Sequence, residues 1–108
     1  MLVDFTADWC LSCKFNERTV LASEAVQSAL ARTRTRLLVA DWTRRDARIG
    51  RRLAAHGRAG VPMYLVYAPG RPDQPEVLPE LLTTDGVVAA LERAAAAGQG
   101  SVGLSSPP

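Results

Sequence analysis

The sequence is poor in the residues that build most metal sites. Its 108 residues contain two cysteines and one histidine, His56, whereas a structural zinc ion needs about four ligands. A complete zinc site within one chain is therefore disfavoured, and we predict no metal. The sequence also lacks an apolar run of about 18 residues, the length that a membrane-spanning helix requires.

Neither sign of charge dominates the composition. The 13 basic and 11 acidic residues give a net charge of +2, a bias too weak to indicate nucleic-acid binding. Hydrophobic residues make up 47% of the sequence, which suits one small domain with one core. No signal peptide precedes the first apolar segment, so we expect an excised domain or one without its targeting segment.

The two cysteines stand together, as Cys10 and Cys13, directly behind the apolar segment Leu2–Phe5. A strand that leads into C-x-x-C at the start of a helix is typical of thiol–disulfide exchange. Residues three apart lie on one helix face, so the two sulfurs can close a disulfide. The positive end of the helix favours a thiolate at Cys10, the predicted nucleophile, with Lys14 nearby. Cys13, one turn deeper, is the predicted resolving cysteine.

Two other interpretations of this pair remain open. C-x-x-C also begins zinc sites, and two unrelated buried cysteines can share the same spacing. Redox use is the interpretation that we adopt. The pair does not fix the compartment, because catalytic C-x-x-C pairs occur in reducing and oxidising compartments alike.

Apolar periodicity and turn residues predict the element order β-α-α-β-α-β-β-α. The predicted strands are Leu2–Thr6 and Leu37–Ala40, both buried, Met63–Tyr67, and an edge strand Glu76–Leu78. The predicted helices are Cys10–Leu21, Glu24–Arg32 with Ser23 as N-cap, Asp46–Ala55, and a last helix that is capped by Thr84 or Asp85 and runs to about Ala96. A βαβ unit followed by a hairpin gives a four-stranded mixed sheet with helices on both faces. Residues 1–97 are the predicted domain, and residues 98–108 a disordered tail.

Several segments resemble one family. Val3–Lys14 resembles the active-site segment of the thioredoxin superfamily, and more narrowly that of the C-terminal periplasmic domain of DsbD-type membrane thiol–disulfide reductases. Further stretches that resemble this family are Asn16-Glu17, Ala40–Thr43, Gly60–Tyr64 and Leu78–Thr83. The resemblance implies an α/β thioredoxin-like fold that lacks the usual first strand and helix.

The resemblance also implies two catalytic acids. Asp4 lies six residues before Cys10, the place of the buried acid of thioredoxins, where burial would raise its pKa and suit it to accept the proton of Cys13. Glu17 lies seven residues after Cys10, which at about 100° per residue returns it to the cysteine face of the helix. With Asp4 it would raise the cysteine pKa values, so we expect Cys10 to be a poor thiolate until a partner docks. The alternative for each acid is an ordinary solvent-exposed charge.

A substrate-binding rim follows from the same resemblance. Pro62 is the expected cis-proline facing the disulfide, and the backbone of Val61 would pair with an extended substrate. Trp9 is expected to flank the site as an apolar contact surface. Leu11 and Ser12, between the cysteines, complete the predicted rim.

Other conspicuous residues receive structural interpretations. Trp42 is expected to pack in the core or a loop, and His56 to lie on a loop without a catalytic part. A basic cluster near the third predicted helix is expected to be a solvated face, with contact to anionic lipid or an acidic partner as the alternative. Its members are Arg44, Arg45, Arg48, Arg51 and Arg52.

The resemblance implies a protein-disulfide reductase whose redox group is the Cys10–Cys13 disulfide, with no other cofactor. A membrane-embedded cysteine pair, of the same or a partner protein, would donate electrons, and a periplasmic redox domain or disulfide-bonded proteins would accept them. The expected location is the periplasm, as part of an inner-membrane protein of a Gram-negative bacterium, and the isolated domain is expected to be monomeric. A stand-alone cytosolic thioredoxin and a non-catalytic metal-binding or scaffold module are the alternatives.

Overall fold

Strands and helices follow one another in the predicted order. The computed structural model describes the backbone of residues 1–105 and the side chains of residues 1–97. The strands are β1 (Leu2–Thr6), β2 (Leu37–Asp41), β3 (Met63–Val66) and β4 (Glu76–Val77). The helices are α1 (Leu11–Asn16), α2 (Glu24–Arg32), α3 (Ala47–Ala55) and α4 (Thr84–Ser105). A π-helical segment, Glu17–Leu21, follows α1 directly.

The strands form one mixed sheet with the order β2-β1-β3-β4. β1 runs parallel to β2, with Leu2 opposite Leu37 and Thr6 opposite Asp41. β3 runs antiparallel to both β1 and β4. The predicted four-stranded, thioredoxin-like arrangement is confirmed, and β4 is an edge strand as expected.

Side chains alternate between the two faces of β1, because a strand has a period of two. Leu2 packs in one core with residues of α2 and α4, whereas Val3 and Phe5 pack on the opposite face with residues of α3. Asp4 and Thr6 therefore share the face of Leu2. Both are buried, at 2% and 5% exposure, and they lie toward the helix layer that carries the cysteines.

The prediction that β2 is buried is wrong. Leu37, Leu38 and Val39 are 36%, 41% and 61% exposed. Burial depends on neighbours rather than on hydrophobicity alone, and β2 pairs only with β1 among the described residues. An apolar run such as this indicates a strand but does not say whether the strand lies inside the sheet or at its edge.

Two helix ends are described by their capping residues. Ser23 is the N-cap of α2 as predicted, since its Oγ accepts from the Val26 N–H at 3.3 Å. The last helix is capped one residue earlier than predicted, because Thr83 Oγ1 accepts from the Gly86 N–H at 3.0 Å. Threonine is a favoured N-cap residue, so the sequence alone does not distinguish Thr83 from Thr84 as the cap.

The last helix is longer than predicted, reaching Ser105 rather than about Ala96. Residues 94–97 are alanines, which favour the helix more than any other residue. The predicted tail thus begins inside α4, and its residues 106–108 lie outside the described part of the chain. The division of the chain at residue 97 stays a prediction. Within the described residues, no helix combines the length and the apolar character needed to cross a membrane.

Asn16 joins the cysteine-bearing helix to the rest of the fold. Its side chain is fully buried. Its Nδ2 donates to the Tyr64 hydroxyl at 2.9 Å and to the Glu80 carbonyl at 2.7 Å. Its Oδ1 accepts from the Leu82 N–H at 3.3 Å. One side chain therefore ties α1 both to β3 and to the segment after β4.

We expect Asn16→Ala to lower the free energy of unfolding by roughly 2 to 4 kcal/mol, because it leaves two buried polar groups and one partly buried carbonyl without a partner. Tyr64→Phe, which removes one of these partners, should lower it by about 1 kcal/mol. Urea denaturation followed by circular dichroism measures both. The exposed neighbour Arg18→Ala is the control, and an Asn16→Ala value equal to it would contradict this role.

Candidate functional site

Cys10 and Cys13 form a disulfide at the N-terminus of α1, with their Cα atoms 5.2 Å apart. Cys10 is the N-cap, and its Sγ accepts from the Cys13 N–H at 3.2 Å. The Ser12 hydroxyl lies 3.7 Å from the same sulfur. In the dithiol form, a Cys10 thiolate at this position would meet the free N–H groups and the positive end of the helix. Cys10 thus lies at the start of the helix, as expected, and its role as the nucleophile stays a prediction.

The two sulfurs differ in access. Cys10 is 7% exposed and Cys13 is fully buried. Exposed side chains surround Cys10: Trp9 is 46% and Leu11 is 85% exposed, and Ser12 is exposed as well. An incoming disulfide can therefore reach Cys10, while Cys13 stays shielded behind it.

Asp4 and Glu17 lie close enough to interact. Burial raises the pKa of Asp4 to about 7, the charge of Glu17 and a hydrogen bond with it act in the same direction, and Lys14 opposes them. Lys14 Nζ lies 3.5 Å from Glu17 Oε1 and 3.7 Å from Asp8 Oδ1. The expected burial of Asp4 and its raised pKa are thus present. Because the value lies near neutrality, this carboxyl group can hold or release a proton under ordinary conditions.

A cavity of about 370 Å³ gives access to these acids. Asp4 and Glu17 line it together with Val39 and Asp41 of β2. Asp4 Oδ1 has no hydrogen-bond partner among the described residues. Because Asp4 lines this cavity, a proton can reach or leave its carboxyl group there.

Thr6 is a site residue that the sequence analysis missed. Its buried Oγ1 donates to Glu17 Oε2 at 2.6 Å, and Thr6 stands two residues after Asp4 on the same strand face. The hydroxyl holds Glu17 toward Asp4. The sequence did contain a signal for this role. Residues two apart share a strand face, so a buried Asp4 implies that Thr6 lies beside it on the same face.

Val61 and Pro62 form a wall of the site beside the disulfide. Their peptide bond is cis, as predicted. Pro62 is buried, and Val61 packs against the cluster of Ala7, Cys10 and Cys13. The predicted rim residues are therefore brought together with the disulfide.

Arg58 connects this wall to the segment after β4, a contact that the sequence did not predict. Its Nη1 donates to the Pro62 carbonyl at 3.3 Å and to Glu80 Oε2 at 2.9 Å. The Glu80 carbonyl in turn accepts from Asn16 on α1. The wall and the cysteine helix thus share one anchoring segment.

An aromatic and cationic cluster lies on the side of Trp9. The Trp9 and Trp42 rings are 6.1 Å apart between centroids, with 55° between their planes. The Arg45 guanidinium carbon lies 4.6 Å from the Trp9 ring centroid and 5.2 Å from that of Trp42. Trp42 is 9% exposed, which agrees with the packing role predicted for it.

The remaining sequence candidates are His56 and the basic cluster. His56 is the C-cap of α3, and its lack of a catalytic part stays a prediction. The clustered arginines at positions 44, 45, 48, 51 and 52 are all exposed. In the part of the chain that the structure describes, no three Cys, His, Asp or Glu side chains group together as metal ligands.

Comparison with known proteins agrees with this geometry. A family profile described as thioredoxin-like matches residues 1–69. The thiol:disulfide interchange protein DsbD 1 of Pseudomonas aeruginosa is 40% identical over 70 residues, which are 65% of this chain and 12% of that protein. The chain thus spans a small fraction of the length of this curated relative.

Two solved structures are similar over most of the chain. The C-terminal domain of Neisseria meningitidis DsbD in its reduced form is 27% identical, with a TM-score of 0.69 over 87% of this chain and 79% of that chain. The oxidised form of the same domain is 27% identical, with a TM-score of 0.70 over 87% and 78%.

These similarities confirm the predicted resemblance to C-terminal domains of DsbD-type proteins. With the Cys10–Cys13 disulfide at the start of α1, they also confirm the predicted class of chemistry, thiol–disulfide exchange. The family profile covers well over half of the sequence. The chain therefore belongs to the thioredoxin-like family.

Proposed function

We propose that this domain is a protein-disulfide reductase that relays electrons from a membrane-embedded cysteine pair to periplasmic partner proteins. The observation that carries the proposal is the polarity of the site. The reachable sulfur, Cys10, caps α1, whereas the buried sulfur, Cys13, lies within α1, which is followed directly by Glu17 beside Asp4. The exchange between Cys10 and the partner disulfide is thereby separated from the loss of the proton from Cys13.

The exchange proceeds in two steps. The Cys10 thiolate attacks one sulfur of the partner disulfide, that bond breaks, and a mixed disulfide forms while the other partner sulfur leaves and takes a proton. Cys13 then gives up its proton and attacks Cys10, which releases the second partner thiol. Two electrons pass to the partner, and Cys10–Cys13 is left oxidised. The two cysteines carry both electrons, so the exchange calls for no other cofactor.

Asp4 is the proposed base of the second step, acting with Glu17. A base works best when its pKa lies near the working pH, and burial raises the pKa of Asp4 to about 7. Thr6 keeps Glu17 in place through its 2.6 Å hydrogen bond. On the outer side, Trp9 and Val61 would contact an extended partner segment, with backbone pairing at Val61.

The relatives support the proposed chemistry. One is named as a thiol:disulfide interchange protein, and the others are C-terminal domains of DsbD in reduced and oxidised forms. We propose that the domain lies in the periplasm, attached to the inner membrane of a Gram-negative bacterium. Its electrons would serve a periplasmic redox domain or disulfide-bonded proteins.

The reduction potential of Cys10–Cys13 tests the direction of electron flow. We expect a value on the order of −270 to −200 mV, the range of thioredoxins and glutaredoxins. Equilibration with a dithiol buffer, followed by mass tagging of free thiols, measures it. A value of about −120 mV, as in a strong oxidant, would reverse the proposed direction.

The roles of the two cysteines can be separated with a peptide dimer linked by one cystine. The reduced Cys13→Ser variant should accumulate a mixed disulfide on Cys10, because nothing resolves it. The matched Cys10→Ser variant should react far more slowly, since Cys13 is fully buried. Mass spectrometry of alkylated samples follows both, and equal rates would contradict the assignment.

Asp4→Asn should slow resolution of the mixed disulfide at neutral pH by about tenfold or more. In the natural sequence the resolution rate should rise as the pH passes about 7, where Asp4 loses its proton. This rise should be absent from the variant. Stopped-flow tryptophan fluorescence over a series of pH values measures it.

The same substitution has a stability signature of known sign. The raised pKa means that Asp4 favours the folded state below about pH 4 and loses this contribution as the pH rises through about 7. Oxidised Asp4→Asn should therefore be the more stable protein at pH 8, by on the order of 1 to 3 kcal/mol. The exposed control Asp8→Asn should change neither readout, and an identical effect there would refute the role of Asp4.

A further inference from the structure

Arg45 has an unusual backbone conformation beside the site. Its φ is 54°, in the left-handed region, which is unfavourable by about 1 to 2 kcal/mol for a residue other than glycine. Its N–H donates to the Trp42 carbonyl at 2.9 Å and closes a turn between β2 and α3. Such a conformation persists only where the surrounding structure holds it in place.

The Arg45 side chain lies against two tryptophans. Its guanidinium carbon is 4.6 Å from the Trp9 ring centroid and 5.2 Å from the Trp42 ring centroid. A planar guanidinium stacked in this way keeps N–H groups at its edge available for a carboxylate. We call these three residues, Trp9, Trp42 and Arg45, the arginine platform.

Hydrogen bonds fix the platform in place. Trp9 Nε1 donates to the Thr43 carbonyl at 3.0 Å, and the Asp8 N–H donates to Thr43 Oγ1 at 2.9 Å. Trp42 Nε1 donates to the Asp46 carbonyl at 3.1 Å. Because Trp9 precedes Cys10 in the chain, the positive charge is held at a set position beside the nucleophile.

The positive charge of the platform is not neutralised by a neighbouring acid. Within residues 1–97, Arg45 makes no ion pair with a carboxylate, and it is exposed. The nearby acids have other cations: Asp8 pairs with Lys14 at 3.7 Å, and Asp46 pairs with Arg48 at 3.7 Å. The rim beside Cys10 therefore offers an exposed aromatic surface and a cation that is ready to bind.

We propose that the arginine platform is a docking surface for an acidic segment of the protein that exchanges disulfides with Cys10. This inference rests on the proposed function and adds the chemistry of its partner. A carboxylate near the partner's disulfide binds the free edge of the Arg45 guanidinium, and an apolar side chain covers Trp9. The platform selects and positions the partner, while Cys10 and Cys13 perform the exchange.

The experiment uses three peptide dimers, each linked by one cystine that is flanked by glutamate, glutamine or lysine. Single-turnover oxidation of the reduced domain by each dimer is measured by rapid alkylation and mass spectrometry. We expect the glutamate dimer to react fastest. Arg45→Gln should reduce its advantage over the lysine dimer about two- to fivefold, the range of an exposed ion pair. Added salt should reduce it too.

Arg34→Gln is the matched control. Arg34 is exposed and has the same φ of 54° as Arg45. Its replacement by glutamine removes one positive charge, as does the replacement of Arg45. It precedes β2 at the end of the sheet where Leu37 lies opposite Leu2, away from Cys10. Arg34→Gln should keep the preference of the natural sequence for the glutamate dimer. Arg45→Lys, which retains the charge but not the flat stacking group, should retain more of that preference than Arg45→Gln.

Three results would overturn the docking role. Equal slowing of all three dimers by Arg45→Gln would mean that Arg45 only supports the site. An equal loss in Arg34→Gln would mean that net charge alone is responsible. Binding to phosphatidylglycerol vesicles that depends on Arg45, without any preference among the dimers, would assign the surface to lipid. Failure of the unsubstituted domain to react with any dimer would refute the proposed function instead.

Discussion

The attachment of α1 to the sheet is the constraint on which the site depends. A helix of six residues has too few internal hydrogen bonds to be stable alone. Asn16 supplies what is missing, through bonds to the Tyr64 hydroxyl and to backbone groups at Glu80 and Leu82. With its C-terminal end held this way, the helix presents its free N–H groups to Cys10.

Charge is distributed unevenly around this helix, and the distribution suits the proposed reaction. The outer side carries the Arg45 cation and the positive helix end at Cys10. The inner side carries the carboxyl groups of Asp4 and Glu17. In the proposed exchange, positive charge would favour the Cys10 thiolate on the outer side, and the carboxyl groups would accept the proton of Cys13 on the inner side. Lys14, which contacts both Asp8 and Glu17, lies between the two sides.

The sequence predicted those features that are encoded locally. The position of β1, the Ser23 cap and the C-x-x-C pair each depend on residues that are close in the chain, and each was found where expected. The burial of Asp4 followed from its apolar neighbours. These features suffice to identify the fold class and the reacting sulfurs.

What the sequence did not predict depends on distant contacts. The exposure of β2 is a matter of which strands adjoin it. The hydrogen bond from Thr6 to Glu17 joins a strand to a helix, and the stacking of Arg45 on Trp9 joins residues 36 positions apart. A basic cluster indicates a solvated face, and only the three-dimensional arrangement distinguishes Arg45 from its four neighbours.

The π-helical segment Glu17–Leu21 limits where residues can be inserted into or deleted from the chain. The Ala22 N–H donates to the Glu17 carbonyl five residues back at 2.8 Å, one residue more than in an α-helix. Deleting a single residue here would restore α-helical spacing but would turn α2 by about 100° relative to the cysteines. Val26 and Leu30 would then leave the core. The number of residues between Cys13 and α2 is therefore fixed by the packing of α2. Insertions and deletions are tolerated better in the loops at other points of the fold.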